Sequence, residues 1–147
     1  MKIRKAKLKD ANQIYKLMIK NKELENSVNY FNKNFLNILI KEKNFLLVIC
    51  KEKNKIIGLL GSILFEKRST AYLDSIFLDK KFRGRGFGRI LYEYYIDYLK
   101  KNNIKYFWTF IENNDYTLQE INKHFGMKKR GLYYMYDKNL KWKTYLA

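Results

Sequence analysis

The stretch FRGRGFGRIL, Phe82 to Leu91, places Gly84, Gly86 and Gly88 at alternate positions in a chain with only seven glycines and no proline. Arg83, Arg85 and Arg89 are interleaved with them, and an amphipathic run follows at once. Before it stands TAYLDSIFLD, an apolar, β-branched and aromatic run that reads as a strand. The chain must therefore pass from strand to helix through a turn that takes positive φ and keeps its backbone bare. Such a turn is also an anion site, because the first helical turn offers unpaired N–H groups at the positive end of the helix dipole. Three arginines of the right sign make a phosphate cradle the expected use of this turn.

The rest of the chain organises around that unit. Lys2–Ala6 reads as a short strand, and Asp10 as the N-cap of a helix with Ile14, Leu17 and Met18 at helical spacing. A second helix is expected from Tyr30 to Lys41, with Phe31, Phe35, Ile38 and Leu39 on one face. NFLLVICKE, KIIGLLGSILFE and TAYLDSIFLD, separated by KN and KRS turns, predict an antiparallel meander. A helix from about Gly86 to Lys101 would bury Ile90, Leu91, Tyr94, Tyr95, Tyr98 and Leu99. KYFWTFIE reads as a strand, Tyr116–Phe125 as a short helix and GLYYMYDK as a closing strand. The order β, α, α, β, β, β, α, β, α, β predicts a mixed α/β fold. At 147 residues this is one domain, 1–147, with a single core.

Composition narrows the classes. No apolar run is long enough for a membrane span, and MKIRKAKLKD has no apolar core of a signal peptide. The lone Cys50 rules out an intramolecular disulfide, so a reducing cytoplasm fits. The net charge of +17 draws polyanions: nucleic acid, an anionic surface or a phosphorylated small molecule. The lysines, however, are scattered over all elements and form no patch; only the glycine turn gathers arginine.

RGRGFG lacks the Gly-Lys-Ser/Thr ending of a P-loop, and it follows a meander where a dinucleotide fingerprint would open a βαβ unit. LDKKFRGRGFGRIL instead resembles the acetyl-CoA-binding signature of the GNAT acetyltransferase superfamily, R/Q-x-x-G-x-G/A, here Arg83, Gly86 and Gly88. The strand before it, the helix after it and the later HFGM also match the family's order. The resemblance implies a central mixed, mostly antiparallel sheet flanked by helices, with fourth and fifth strands splayed apart. It implies acetyl-CoA as acyl donor; separately, a sole histidine with no cysteine nearby leads to the expectation of no metal. Backbone N–H groups of Arg83, Gly84, Arg85, Gly86, Phe87 and Gly88 would take the pyrophosphate. Ile76, Phe77 and Leu78 would pair their main chain with the pantetheine arm.

Direct acyl transfer to an amine needs a deprotonated amine, a donor for the developing oxyanion and a proton for the leaving thiolate. Asp74 is the candidate base: it interrupts an apolar strand, on the face of Ile76 and Leu78 if alternation holds, and desolvation would raise its pKa. Glu66 and Glu112 come next, and a water-mediated route needs no single base. Asp74 can equally pair with a lysine as plain structure. The family's usual tyrosine, four residues before the glycine of HFGM, corresponds to Asn122, which hydrogen-bonds but gives up no proton. Tyr116, Tyr133, Tyr134 or Tyr72 could substitute. The family's asparagine after the fifth strand corresponds to Asn114 with one inserted residue, and to Asp115 by strict spacing. Cys50 reads as a small buried hydrophobe, and His124, the sole histidine, as a packing or surface residue.

The expectation is an N-acetyltransferase acting on a primary amine of a small molecule or protein, as monomer or homodimer and without a membrane. Two alternatives stand beside it: a nucleic-acid-associated protein, either aminoacyl-tRNA-acetylating or RNA-binding, and a catalytically degenerate acyl-CoA sensor.

Overall fold

The computed structural model describes residues 1–21 and 33–134. Two compact units divide the chain, Met1–Phe110 and Ile111–Ala147.

The first unit is built on a five-stranded sheet: β1 (Lys2–Lys5), β2 (Phe45–Glu52), β3 (Lys55–Phe65), β4 (Thr70–Leu78) and β5 (Tyr106–Thr109), in spatial order β1-β2-β3-β4-β5. The first three pairings are antiparallel, and β4 with β5 is parallel. Helices α1 (Ala11–Lys20) and α2 (Lys33–Lys41) follow β1, and α3 (Phe87–Lys101) makes the crossover from β4 to β5. The predicted mixed α/β meander with its strand–turn–helix–strand centre is the fold found. The expected residues Tyr30 and Phe31 of the second helix lie outside the described residues.

β2 and β3 are apolar without alternation because both their faces are covered. On one face Ile14, Leu17 and Met18 of α1 and Leu36 of α2 pack with Leu47, Ile49, Leu59 and Phe77. On the other face lies α3: Tyr95 Oη is 2.8 Å from Ser62 Oγ, and a Cβ on Gly58 would meet Leu91 Cδ1 at 3.3 Å. The side chains α3 buries are Leu91, Tyr92, Tyr95 and Leu99. Ile90, Tyr94 and Tyr98, expected on that side, are half-buried. The helix is turned so that Tyr92 and Tyr95 meet the Phe107 ring of β5 at 6.3 and 5.3 Å. Burial drives both phenols up, Tyr95 to about 12.

Asp10 occupies the N-cap position of α1 but does not cap it. Its carboxylate accepts instead from both terminal nitrogens of Arg4, at 2.7 and 2.9 Å, and from the Lys7 amide at 2.7 Å. It thus ties β1 to the start of α1.

In the second unit, α4 (Tyr116–His124) is N-capped by Asp115, which accepts from the Leu118 amide at 2.9 Å. The helix stops at Gly126, φ +73°, with Gly126 N–H on Lys123 O and Met127 N–H on Asn122 O. This is a Schellman stop, which explains the Gly of HFGM by conformation. The closing strand expected over GLYYMYDK is not found on Gly131–Tyr134, where no ladder forms and Leu132, Tyr133 and Tyr134 are exposed. Its remaining residues lie outside the described ones. No helix of the described residues is long and apolar enough to cross a membrane.

Candidate active site

The glycine turn has the conformation its sequence demands. Gly84 and Gly86 sit at φ +73° and +81°, a region that strains any residue with a Cβ. A Cβ at either would meet nothing within 4 Å, so both face open space. Positive φ, and not crowding, is what requires glycine here. Gly86 is the N-cap of α3, and the first internal bond of the helix runs from Ile90 N–H to Gly86 O at 3.2 Å. The amides of Phe87, Gly88 and Arg89 precede that bond and have no acceptor within the helix. They point out of the end of a 15-residue helix whose first turn holds no acidic residue.

The arginines brace this turn. Arg83 Nε donates to Leu78 O at 2.9 Å, and its guanidinium lies 5.8 Å from the Phe77 ring centre. Arg85 lies 5.5 Å over Phe82, whose ring is 6.2 Å from that of Phe87. A short 3-10 turn, Lys80–Phe82, leads into the glycines and is capped by Asp79, which accepts from the Lys81 amide at 3.1 Å. Asp79 also accepts from Lys20 Nζ of α1 at 3.3 Å, and its own amide donates to Ile57 O of β3. Burial opposes its charge, but the Lys81 amide and Lys20 hold its carboxyl below the ordinary range. The motif reading missed Asp79. An aspartate at a strand end before two lysines carries the signal of a turn cap.

β4 supplies an open edge beside the turn. Its pairing with β5 ends at Leu73↔Thr109, where Thr109 Oγ1 donates to Leu73 O, so Asp74–Leu78 continue without a β5 partner. The main chain of Asp79 points to β3 and that of Leu78 toward Arg83. By strand alternation the N–H and C=O of Ile76 share the open side with Leu78, and those of Phe77 turn toward β3. Of the three residues expected to present main chain to a ligand, Ile76 and Leu78 have that orientation. Phe77 contributes a buried side chain.

Asp74 is the extra residue of a β-bulge. Ser62 pairs with Leu73 and Gly61 with Ser75, and the register skips Asp74. Alternation therefore fails at this residue. Ser62 and Leu73 face α3, as do Leu60 and its partner Ile76, so Asp74 and Ser75 lie on the opposite face. The expectation that Asp74 shares a face with Ile76 and Leu78 is corrected by this bulge. Asp74 is exposed at the surface, yet partial desolvation raises its carboxyl above the usual range, and the Tyr72 hydroxyl is raised by burial and by Asp74 itself. Asp74 forms no ion pair among the described residues.

The remaining candidates fall into place individually. Cys50 is fully buried on β2 with its thiol pushed up by desolvation. Glu66 is exposed in the β3–β4 turn. In the second unit Glu112, Asn114 and His124 are exposed, and Asn122 is half-buried in α4. His124 packs edge-on against Phe125 at 5.1 Å. Tyr116, Tyr133 and Tyr134 are exposed, while Tyr72 makes tilted ring contacts with Trp108 and Phe110. Among the described residues no three His, Cys, Asp or Glu side chains gather as a metal site would require.

This fold has counterparts. The family model described as Acetyltransferase (GNAT) family matches residues 11–127. Among curated proteins no sequence match is found. Among solved structures, an aminoglycoside acetyltransferase, meta-AAC0020, from an uncultured soil metagenomic sample superposes with TM-score 0.77 at 17% identity, over 94% of this chain and 96% of that one. The ribosomal-protein-alanine N-acetyltransferase of Brucella melitensis biovar Abortus 2308 superposes with TM-score 0.74 at 12% identity, over 94% and 100%. AAC(6')-Iy, in complex with a CoA-containing bisubstrate analogue, gives 0.75 at 13% identity, over 95% and 98%. At such identities these structures establish the fold, and the sequence match establishes the kinship: the chain belongs to the GNAT acetyltransferase family.

Proposed function

We propose that this protein is an N-acetyltransferase that moves an acetyl group from acetyl-CoA directly to a primary amine. The observation that carries the proposal is the bare, left-handed Gly84–Gly86 turn at the start of α3, set beside the end of β4 that has no β5 partner. A pyrophosphate fits the one, through the amides ahead of Ile90; an extended amide-bearing arm fits the other, through Ile76 and Leu78. Asn114 and Asn122 are proposed as further hydrogen-bonding residues for the cofactor. The structure of AAC(6')-Iy with a CoA-containing bisubstrate analogue supports this choice of donor.

From Leu78 back to Asp74 is about 13 Å of strand at about 3.3 Å per residue, which separates the phosphate end from the chemistry. There the amine nitrogen attacks the thioester carbonyl carbon, the C–S bond breaks with its electron pair leaving on sulfur, and the amine loses one proton. Asp74 accepts that proton, directly or through water; water returns one to the thiolate. A carboxylate raised by partial desolvation is a better base for this step than an ordinary one. The amine acceptor is supported by two names among the fold neighbours, an aminoglycoside acetyltransferase and a ribosomal-protein-alanine N-acetyltransferase.

Calorimetric titration with acetyl-CoA, with CoA and with an RNA pool tests the reading. Saturable binding of acetyl-CoA, followed by amine-dependent thiol release, is the expected result. RNA binding without acetyl-CoA binding would overturn it and favour the nucleic-acid alternative.

A further inference from the structure

β5 carries aromatic residues on both faces, and among the described residues of the first unit it is α3 that covers one of them. Phe107 points to α3 and meets Tyr92 and Tyr95. Tyr106 and Trp108, one residue to either side, point the other way and stack at 6.2 Å. Phe65 at the end of β3 stacks on Trp108 at 5.7 Å with 13° between the planes. Tyr72 of β4 lies 5.8 Å from Trp108 and 5.9 Å from Phe110, at 59° to the latter, so the two rings form a corner. Phe65, Tyr106 and Phe110 are 40%, 53% and 60% exposed. α1 and α2 cover this face over β2 and β3.

Asp74, the bulge residue, shares this face. Its charge acts on Tyr72, and it has no ion pair among the described residues of a chain that carries 31 lysines and arginines. Apolar rings alone would accept any greasy surface. A carboxylate that shares the sheet face of the rings favours one class of occupant, a cation held by both charge and quadrupole. Tyr72 and Asp74 also straddle Leu73, where β4 and β5 part.

We infer that the Tyr72–Trp108–Phe110 aromatic corner and Asp74 form the acceptor subsite, selecting a primary ammonium carried on a flat apolar skeleton. The inference rests on the acetyltransferase reading and adds the acceptor's class. The ammonium docks on Asp74 and gives one proton to solvent before its nitrogen attacks, and the skeleton lies against the rings. Phosphate-rich ligands are disfavoured by the carboxylate.

The test uses the full chain carrying Trp142→Phe, which leaves Trp108 as the reporter fluorophore of the two tryptophans. The probes are phenethylamine, ethylamine and 3-phenylpropionate, with poly(U) as a fourth arm. Phenethylamine should change Trp108 emission and bind about tenfold more tightly than either small probe, since one lacks the ring and the other the positive charge. Phe110→Ala, at an exposed position, should weaken phenethylamine about three- to tenfold while acetyl-CoA affinity stays unchanged. Equal affinity for phenethylamine and 3-phenylpropionate, or no emission change, overturns the subsite. So does salt-sensitive poly(U) binding in place of phenethylamine, which would make the rings a base-stacking platform. Failure of the acetyltransferase reading shows separately, as loss of acetyl-CoA binding with the phenethylamine response intact.

Discussion

Three aspartates of the first unit show how one residue type takes three roles from its surroundings. Asp10 and Asp79 are buried and held below the ordinary carboxylate range, Asp10 foremost by the Arg4 hydrogen bonds. Their stabilisation is present above the unfolded value of about 4 and is lost as pH falls through the lower folded values. Asp74 has the opposite sign: its raised carboxyl binds a proton more tightly in the fold, so stability falls as pH rises through its folded value. Asp10→Asn should cost about 2 kcal/mol at neutral pH by leaving Arg4 without its counter-charge, and should flatten acid unfolding below about pH 4. Urea denaturation at neutral and acid pH measures both; an unchanged acid limb would remove Asp10 from the account. Asp74→Asn should lower turnover about a hundredfold with acetyl-CoA affinity nearly unchanged, and should abolish the acidic limb of the rate profile. Equal turnover would leave Asp74 as structure. The sequence makes Asp74 conspicuous because it breaks an apolar run. It hides the bulge, because the skipped pairing is set by Gly61 and Ser62 on another strand.

At the scale of elements, the glycine turn and its helix act as one device. Gly86→Ala introduces strain at φ +81° worth about 1–2 kcal/mol but no obstruction, since open space lies beyond it. Gly86→Glu adds the same strain and also a negative charge at the end of α3. Arg83→Ala with Gly86→Glu should therefore abolish acetyl-CoA binding in calorimetry, while Gly86→Ala retains most of it. Loss in both would make backbone geometry the cause, and unchanged binding in the double variant would remove the phosphate assignment. This device is legible in sequence because a turn and a helix start are local. The face of α3 is less so: Tyr92 is buried and Tyr98 only half-buried because Phe107 stands across from the former. Long-range pairing likewise decides Gly58, where a Cβ would come within 2.9 Å of Phe77 O at the end of β4. No local pattern marks that glycine as a spacer for the open edge.

For the whole molecule, the net charge of +17 acts on the fold and on the ligand in opposite directions. Like charges spread over a small protein repel one another, and salt screens that repulsion; the Debye length is about 10 Å at 0.1 M. The same screening weakens attraction between the arginine-flanked turn and an anionic donor. Raising sodium chloride from about 0.05 M to about 0.5 M should raise the thermal midpoint of the free protein and lower acetyl-CoA affinity several-fold. Phenethylamine affinity should also fall, but less, because the rings hold its apolar part independently of charge. The three slopes come from thermal melts and titrations at matched salt. A donor affinity indifferent to salt would mean that the pyrophosphate does not meet the Arg83–Arg89 turn. A phenethylamine affinity that rises with salt would mean that the protein's net positive charge outweighs Asp74 at the rings. Scattered lysines then set solubility and on-rates, and a few aligned amides, one carboxylate and a row of rings set what is bound.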